Sequence, residues 1–379
     1  MNGSRTHDLK NLKVKKGQIE VKKMASTLNV SEINSELENR IYGVIYGNAC
    51  GDAIGLLTEF MSKREAKVYY GNKKELEYEM KVPDFHRERW KTGDWTDDTD
   101  QMILIILSII DQQGEVSKTD YAAKLQNWSL KGFSELGDFA GMGIGATTKK
   151  VLHRENYLTD PHQASLNVWE ELGRQAAPNG ALMRTSILGV FQYQSLEKVI
   201  QNTVSICKVT HADPRCVASC VALTTAIALM LQRPVDLVKT NGEFKVELII
   251  DRSYAEACRM LPDEKSQRDE LRKYMYAKKL TPLELDDQRK MGYTYKCLGA
   301  AFWAFKQTDF RKALQKICMK GGDADTNGAA AGALLGCKLG FRSIPESWRQ
   351  KLCHKSWLDG HIQSFLPLIN LNQNEAIEK

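Results

Sequence analysis

Glycine recurs at every fourth position in two separate stretches of this 379-residue chain. On an α-helix this spacing places the residues on one face, so each stretch predicts a helix with a stripe that lacks side chains. Each glycine lowers helix stability by about 1 kcal/mol relative to alanine, so four in register need a compensating gain. Close approach of two helices supplies it, and we predict that the two striped helices pack together at the centre of the fold. The stripes are Gly43, Gly47, Gly51 and Gly55, and Gly328, Gly332, Gly336 and Gly340.

A membrane-helix interpretation of these stripes fails, because Asp52 and Lys338 interrupt them with charge. The longest apolar runs noted in the sequence, such as 102–110, are too short to cross a bilayer. We therefore expect no membrane association.

Two acidic turns precede apolar helices more than 200 residues apart. The first, within KTGDWTDDTDQMILIILSIID (91–111), places four aspartates in seven residues. The second, GGDADTNGAAAGALLGCKLG (321–340), also combines aspartate, threonine and glycine. Helix capping accounts for one aspartate per turn, or at most two. The excess suggests that the turns form two halves of one site with oxygen ligands.

The candidate residues of this site offer only oxygen, which suits Mg²⁺, Mn²⁺ or Ca²⁺ better than Zn²⁺. Each turn alone has a simpler interpretation, since either one is explained as a helix cap. The glycines of the second turn also suit a phosphate-binding turn. Taken together, five carboxylates in a helical core would repel one another unless cations neutralised them. The candidates are Glu59, Thr96, Asp97, Asp98, Asp323, Asp325 and Thr326.

The net charge of +6 is concentrated at the amino-terminal end, where residues 1–24 carry seven basic and two acidic side chains. The rest is close to neutral, so no nucleic-acid-binding body is expected. The nine cysteines form no CxxC pair, which argues against a disulfide framework or a zinc site. We expect a monomer in the cytoplasm, with the nucleus as the alternative location.

Helical periodicity dominates the remaining sequence and predicts an all-α fold in a single domain. We divide the chain into a basic extension (1–40), a main domain (41–366) that contains a polar helical insertion (233–290), and a polar tail (367–379). The best strand candidate is Phe244–Ile250. Asp52 and Glu59, seven residues apart, are predicted to share one face of the first striped helix.

Seven motifs in order resemble those of the ADP-ribosylglycohydrolases, a family that includes the dinitrogenase-reductase-activating glycohydrolase and the ADP-ribosyl-arginine and ADP-ribosyl-serine hydrolases. The resemblance runs from about residue 41 to 348, apart from the insertion. Its motifs are GDAIGLLTEF, GDWTDDTDQM, GDFAGMGIGATT, PNGALMR, VTHADPR, GYTYKCLGAAFWAF and GGDADTNGAAAGALLG.

The resemblance implies an orthogonal helix bundle with two divalent cations, Mg²⁺ or Mn²⁺, in a cleft. It implies that the metal ligands are Thr96, Asp97, Asp98, Asp323, Asp325 and Thr326. Glu59 matches a carboxylate that closes over the site, and Asp138 matches a catalytic aspartate of bacterial members. It implies substrate contacts from Gly141, Gly143, Ile144, Gly145, Asn179, Gly180 and His211. From the sequence alone, His211 is more simply a hydrogen-bonding residue at a helix end.

The implied reaction is hydrolysis of the N- or O-glycosidic bond between ADP-ribose and a protein side chain or small acceptor, with Glu59 or Asp138 moving the protons. Two alternatives stay open from the sequence. One is a metal-dependent phosphohydrolase acting on a nucleotide, and the other is a non-catalytic ADP-ribose-binding relative.

Overall fold

The computed structural model of the chain describes residues 35–377, with side chains described as far as Ile369. Fifteen α-helices and no β-strand occur in that range, which confirms the predicted all-α class. Residues 1–34 of the predicted basic extension lie outside the described part, and the first helix begins at Glu36. The helices are α1 (Glu36–Gly55), α2 (Lys63–Tyr70), α3 (Asp97–Asp111), α4 (Lys118–Lys131), α5 (Ala146–Leu152), α6 (Pro161–Glu171), α7 (Leu196–Cys207), α8 (Pro214–Gln232), α9 (Val246–Cys258), α10 (Lys265–Met275), α11 (Thr294–Phe305), α12 (Phe310–Cys318), α13 (Ala324–Leu339), α14 (Glu346–Gln350) and α15 (Lys355–Ile377).

The two glycine-striped helices, α1 and α13, lie antiparallel and touch through their backbones, as their spacing predicts. A Cβ atom added to any of the paired glycines would lie within 2.2 Å of a carbonyl oxygen on the other helix. No side chain fits in such a gap, so glycine is required at these positions for steric reasons. The facing pairs are Gly43 with Gly336, Gly47 with Gly332, and Gly51 with Gly328.

The helix pair lies at the centre of a helix bundle, within one continuous apolar core. Helix α13 also packs against α11 and α12, while α8 packs against α7, α9 and α11. By length and composition, helix α8 could cross a membrane, unlike the shorter apolar runs such as 102–110. Its most apolar window is 89% buried inside the fold, as in the core helix of a globular domain.

Helix starts follow the local sequence closely. Ser62 caps α2, and Glu65 bonds back to the Ser62 backbone to form a capping box. Asp160 and Asp213 cap α6 and α8, each followed by proline at the first helical position. Such caps satisfy backbone N–H groups that the helix itself leaves unpaired.

Two local predictions are wrong. Phe244–Ile250 is no strand, because Phe244 forms only an isolated bridge with Val238 and helix α9 begins at Val246. The apolar residues of this segment are buried as part of helix α9, in which Ile249 and Ile250 lie in the core. Glu59 does not share the first helix with Asp52, since α1 ends at Gly55 and Glu59 lies in the turn that follows.

The predicted insertion contains α9 and α10, which pack on α8 and α11. The carboxyl-terminal end of the insertion contacts the second acidic turn. Gly322, with φ of 71°, leaves no room for a Cβ atom, which would lie 1.9 Å from the Leu285 carbonyl oxygen. The backbone of Leu285 and Asp286 therefore packs directly against the second acidic turn.

We expect Gly332→Ala to destabilise the protein by at least about 1–3 kcal/mol, because its methyl group would overlap the Gly47 carbonyl. Gly360→Ala is the matched control, since a Cβ atom there meets nothing within 4 Å and alanine favours the helix. Urea denaturation of both variants measures the difference. Equal stability of Gly332→Ala and the parent would contradict the observed backbone contact.

Candidate functional site

The antiparallel pairing of α1 and α13 brings the end of one helix to the start of the other. A Cβ atom on Gly55 would lie 2.2 Å from the Ala324 carbonyl oxygen, so the second acidic turn begins beside the end of α1. Asp52, fully buried on α1, attaches the first turn to the same place. Its carboxylate accepts hydrogen bonds from the backbone and hydroxyl groups of Thr96 and Thr99, at 2.6–3.1 Å.

The predicted aspartate ligands of the two acidic turns, except Asp97, converge with two other carboxylates in two overlapping groups. Within each group the ligand atoms lie within 4.8 Å of one another. Asp325 belongs to both groups. Its Oδ1 atom is buried and has no hydrogen-bond partner. A buried unpaired carboxylate oxygen is costly in a native structure, and a cation in this position would satisfy it. The groups are Asp52, Asp98 and Asp325, and Glu59, Asp323 and Asp325.

Three hydrogen bonds hold the carboxylates in place, and one of them joins the two turns. Thr326 donates its hydroxyl proton to Asp98 Oδ1 at 2.8 Å, which joins two positions 228 residues apart. Asp97 accepts a hydrogen bond at 2.7 Å from the side chain of Gln101, one helical turn later. Asp323 accepts one at 2.7 Å from the side-chain amide of Asn179.

Helix capping accounts for only one of the predicted ligands. Thr96 is the N-cap of α3, and its hydroxyl oxygen accepts from the Asp98 backbone. Asp323 occupies the N-cap position of α13 without a side-chain cap bond. The remaining carboxylates are therefore free for another role.

Burial and mutual repulsion make this cluster difficult to ionise without a counterion. Burial, followed by the Glu59, Asp98 and Asp323 carboxylates, raises the pKa of Asp325 well above its usual value. Burial also raises the pKa of Asp52 to about 7, against its hydrogen bonds, which lower it. The pKa values of Asp97, Asp98 and Asp323 are raised as well, first by burial and then by neighbouring carboxylates. Divalent cations would reverse this unfavourable balance.

Two of the four aspartates in the first turn belong to other interactions. Asp100 accepts hydrogen bonds from the indole N–H groups of Trp95 and Trp128, at 2.7 and 3.1 Å. Asp94 faces the ring of His354, with 3.3 Å between its Oδ1 and the ring Nε2.

Glu59 is oriented by a histidine whose tautomer follows from its partners. Arg89 Nη2 lies 2.7 Å from His86 Nδ1, and an arginine nitrogen only donates, so Nδ1 accepts. The ring proton is then on Nε2, which donates to Glu59 Oε2 at 2.6 Å. Phe60, held at φ of 60° by a bond from its N–H to the Gly322 carbonyl, stacks against the same ring. His86 thereby holds one oxygen of Glu59, whose side chain also lines the cleft described next.

A cleft of about 290 Å³ opens over the carboxylates. One wall is the glycine-rich loop 137–145, where Gly143, with φ of 93°, passes so close to Asp97 that a Cβ atom would lie 2.2 Å from its Oδ1. Gly141 packs flat against Trp128. Ile144 lines a second concavity on the other side of Glu59 and Asp97.

The opposite wall contains Asn179, Gly180 and His211, all of which line the cleft. Arg184, fully buried, donates to Thr210 Oγ1 at 2.8 Å, which leaves the threonine hydroxyl proton for His211 Nδ1 at 2.7 Å. The ring proton of His211 then lies on Nε2, near Gly180. Burial, with the Arg184 guanidinium, lowers the pKa of His211 to about 3, so the ring is a neutral donor.

The predicted catalytic residue Asp138 lies apart from these groups. Its carboxylate accepts a hydrogen bond from the Phe133 backbone at 3.0 Å and lines neither concavity. In this conformation it supports the loop, and its role in catalysis stays a prediction.

Three residues of the site are missing from the predicted set. Asp52 carried a usable signal, since it is an acidic residue inside a glycine stripe. Gln101 carried a weaker one, four residues after Asp97 on the same helix. His86 carried none, because its position depends on the fold of an irregular segment.

The family model described as ADP-ribosylglycohydrolase matches residues 33–375, and the chain therefore belongs to that family. The ADP-ribosylarginine hydrolase Tri1 of Serratia proteamaculans is 27% identical over 319 residues, covering 84% of this chain and 76% of the relative. The ADP-ribosyl-[dinitrogen reductase] glycohydrolase of Rhodospirillum rubrum is 25% identical over 317 residues, covering 83% and 91%.

A solved structure described as an ADP-ribosylglycohydrolase-related protein complex has a TM-score of 0.63 with this chain. The two sequences are 23% identical, and the match covers 99% of that chain and 88% of this one. At that identity the likeness supports the fold, which confirms the predicted bundle type.

We expect Asp325→Asn to abolish most of the thermal stabilisation by Mg²⁺, because Asp325 belongs to both carboxylate groups. Without metal the variant should be as stable as the parent or more so, since one repelling charge is gone. Differential scanning calorimetry with Mg²⁺ and with chelator provides the measurement.

Asp100→Asn is the matched control, an aspartate of the same region bonded to two tryptophans. It should lose about 1–3 kcal/mol by weakening one of those bonds, yet keep the full response to Mg²⁺. An Asp325→Asn protein with an unchanged Mg²⁺ response would contradict the metal interpretation.

The stabilisation of the protein by Mg²⁺ should depend on pH. In chelator, the folded carboxylates hold protons that the unfolded chain releases, because folding raises their pKa values. Their stabilising contribution is present below the unfolded pKa of about 4 and is lost as the pH rises through the folded value of about 7 for Asp52. Mg²⁺ should therefore raise Tm more at pH 8 than at pH 5. A larger rise at pH 5 would refute this account.

Proposed function

We propose that this protein is a metal-dependent hydrolase that cleaves the glycosidic bond between ADP-ribose and a protein side chain or small acceptor. The observation that carries the proposal is the convergence of two distant acidic turns on one shared carboxylate, Asp325, at the floor of a cleft. Family membership supports the reaction class. The names of the two relatives indicate ADP-ribosylated protein substrates for those proteins.

The residues fit two divalent cations of the Mg²⁺ or Mn²⁺ type. All donors are oxygens, the carboxylates repel one another without cations, and Asp325 has an unpaired buried oxygen. When bound, such ions supply Lewis-acid chemistry: they hold vicinal hydroxyls of a ribose and make a water more acidic. The ligands we propose are Thr96, Asp97, Asp98, Asp323, Asp325 and Thr326, with Asp52 and Glu59 beside them.

Glu59 is the proton carrier we favour over Asp138. Its Oε2 is fixed by His86, and its side chain lines the cleft, so Oε1 can accept a proton from water at the reacting carbon. Asp138 is instead bonded to the loop backbone. The bond between the anomeric carbon and the acceptor atom breaks through an oxocarbenium-like state, and the water oxygen adds to the anomeric carbon. The proton that Glu59 takes from this water passes to the released nitrogen or oxygen of the acceptor.

The cleft walls provide the contacts for the ADP-ribose portion. The backbone N–H groups of the loop around Gly143 suit a diphosphate, as glycine-rich turns before helices commonly do. His211 offers an N–H donor that stays neutral across the physiological pH range, since its pKa is about 3. Asn179 orients Asp323 through its amide and thereby couples the substrate wall to the acidic turn.

The deciding experiment is incubation of the protein with ADP-ribosyl-arginine and ADP-ribosyl-serine peptides, with and without Mg²⁺. Free ADP-ribose as the product supports the glycosidase, and the faster peptide identifies the acceptor. Release of phosphate or AMP from a nucleotide substrate would support the phosphohydrolase instead. Tight ADP-ribose binding without any turnover would support a non-catalytic binder.

We expect Glu59→Gln to lower kcat by a factor on the order of 10²–10⁴, because glutamine cannot accept the proton. Asp138→Asn should lose much less, since an asparagine oxygen still accepts the Phe133 hydrogen bond. Glu65→Gln, at the exposed start of α2, controls for loss of a carboxylate elsewhere. A greater loss in Asp138→Asn than in Glu59→Gln would assign the proton transfer to Asp138.

A further inference from the structure

A second cluster of possible metal ligands lies outside the carboxylate site. Asp94, Cys353 and His354 place an oxygen, a sulfur and a nitrogen atom within 4.8 Å of one another. It is the one such group in the described part of the chain that contains sulfur or nitrogen ligands. We propose that it binds a borderline-soft divalent cation, Zn²⁺, with the fourth coordination position left to water.

The distances fit tetrahedral zinc with little adjustment. Zinc binds oxygen and nitrogen at about 2.0–2.1 Å, so two such ligands of a tetrahedron are about 3.3 Å apart. His354 Nε2 and Asp94 Oδ1 are 3.3 Å apart already. Cys353 is exposed, and its sulfur lies within 4.8 Å of both atoms. Zinc bonds of about 2.3 Å to sulfur and about 2.0–2.1 Å to nitrogen or oxygen imply a separation of about 3.5 Å.

The backbone on both sides of this cluster is fixed, which gives the site a defined shape. The Cys353 N–H donates to the Gly93 carbonyl at 2.9 Å, so the two chain segments are hydrogen-bonded at the cluster itself. Gly93 has φ of 77°, and a Cβ atom there would lie 2.2 Å from the Lys351 carbonyl oxygen. The His354 ring packs edge-on against Trp95, with 5.6 Å between the ring centroids.

The ligand set differs in chemistry from the carboxylate site and therefore in the metal that it selects. A thiolate and an imidazole favour Zn²⁺ over Mg²⁺, which prefers oxygen ligands and keeps several waters. On binding, the Cys353 thiol gives its proton to solvent as the sulfur–zinc bond forms. On the sequence alone, the absence of a CxxC pair argues against a zinc site. It does not exclude this cluster, which joins the neighbouring residues Cys353 and His354 to Asp94, far away in the sequence.

Zinc here would connect the segment before α15 to the first acidic turn. Asp94 lies two residues before Thr96, so the ion would hold the start of that turn, although its ligands do not line the cleft. The expected effect is stabilisation of the folded state, because the ion would link distant parts of the chain. The inference does not depend on the reaction proposed above.

Cobalt substitution tests the site directly. The parent is titrated with Co²⁺ in excess Mg²⁺, which occupies the carboxylate site, and the sulfur-to-cobalt charge-transfer absorption in the near ultraviolet is recorded. We expect that band in the parent, its loss on addition of Zn²⁺, and a Zn²⁺ affinity more than about tenfold lower in Cys353→Ser. Cys258→Ser, which alters a half-buried cysteine on α9, should leave the band unchanged.

The two remaining readouts separate a true site from loss of folding. Zn²⁺ should raise the Tm of the parent and of Cys258→Ser but not that of Cys353→Ser, whose substitution at an exposed position leaves the fold intact. ADP-ribose release in Mg²⁺ alone should be equal in Cys353→Ser and the parent. Absence of the cobalt band in the parent, or its persistence in Cys353→Ser, would overturn the proposal.

Discussion

The direct backbone contact between α1 and α13 is the constraint on which the rest of the structure depends. Because glycine faces glycine at three successive turns, the helix axes come closer than any side chain would allow. This fixes both the distance and the register of the pair. The end of α1 then lies beside the start of α13, and a shift of one turn would separate Asp52 from Asp325.

Repulsion within the carboxylate cluster destabilises the folded protein, and the packing of the helix pair compensates for it. Like charges in a buried site repel, and their pKa values are raised by burial as well as by one another. A less rigid scaffold would relieve the repulsion by moving apart. The glycine contact and the hydrogen bonds of Asp52 prevent that movement, so the site keeps its shape and is left with a strong preference for cations.

Much of this arrangement follows from local patterns in the sequence. The four-residue glycine spacing predicts the helix pair, and an excess of aspartates over caps predicts that the two turns converge. The patterns fail where a residue acts through a distant partner. Asp52 supports the site only because Thr96 and Thr99 come to it from another part of the chain. His86 supports it only because the fold brings its ring to Glu59, 27 residues earlier. The strand prediction at Phe244–Ile250 fails because a short run of apolar, β-branched residues fits the buried face of a helix as well as it fits a strand.

The separation of the paired helices in the sequence also has a consequence for synthesis on the ribosome. Arg40, in α1, bonds the carbonyl of Cys337, which is 297 residues later. At about 5–20 residues per second, α1 emerges on the order of 15–60 s before its partner exists. During that interval an apolar helix with bare backbone on one face has nothing to pack against. We therefore expect nascent chains to need protection of this face, and a pause in translation before α13 would lengthen that exposure.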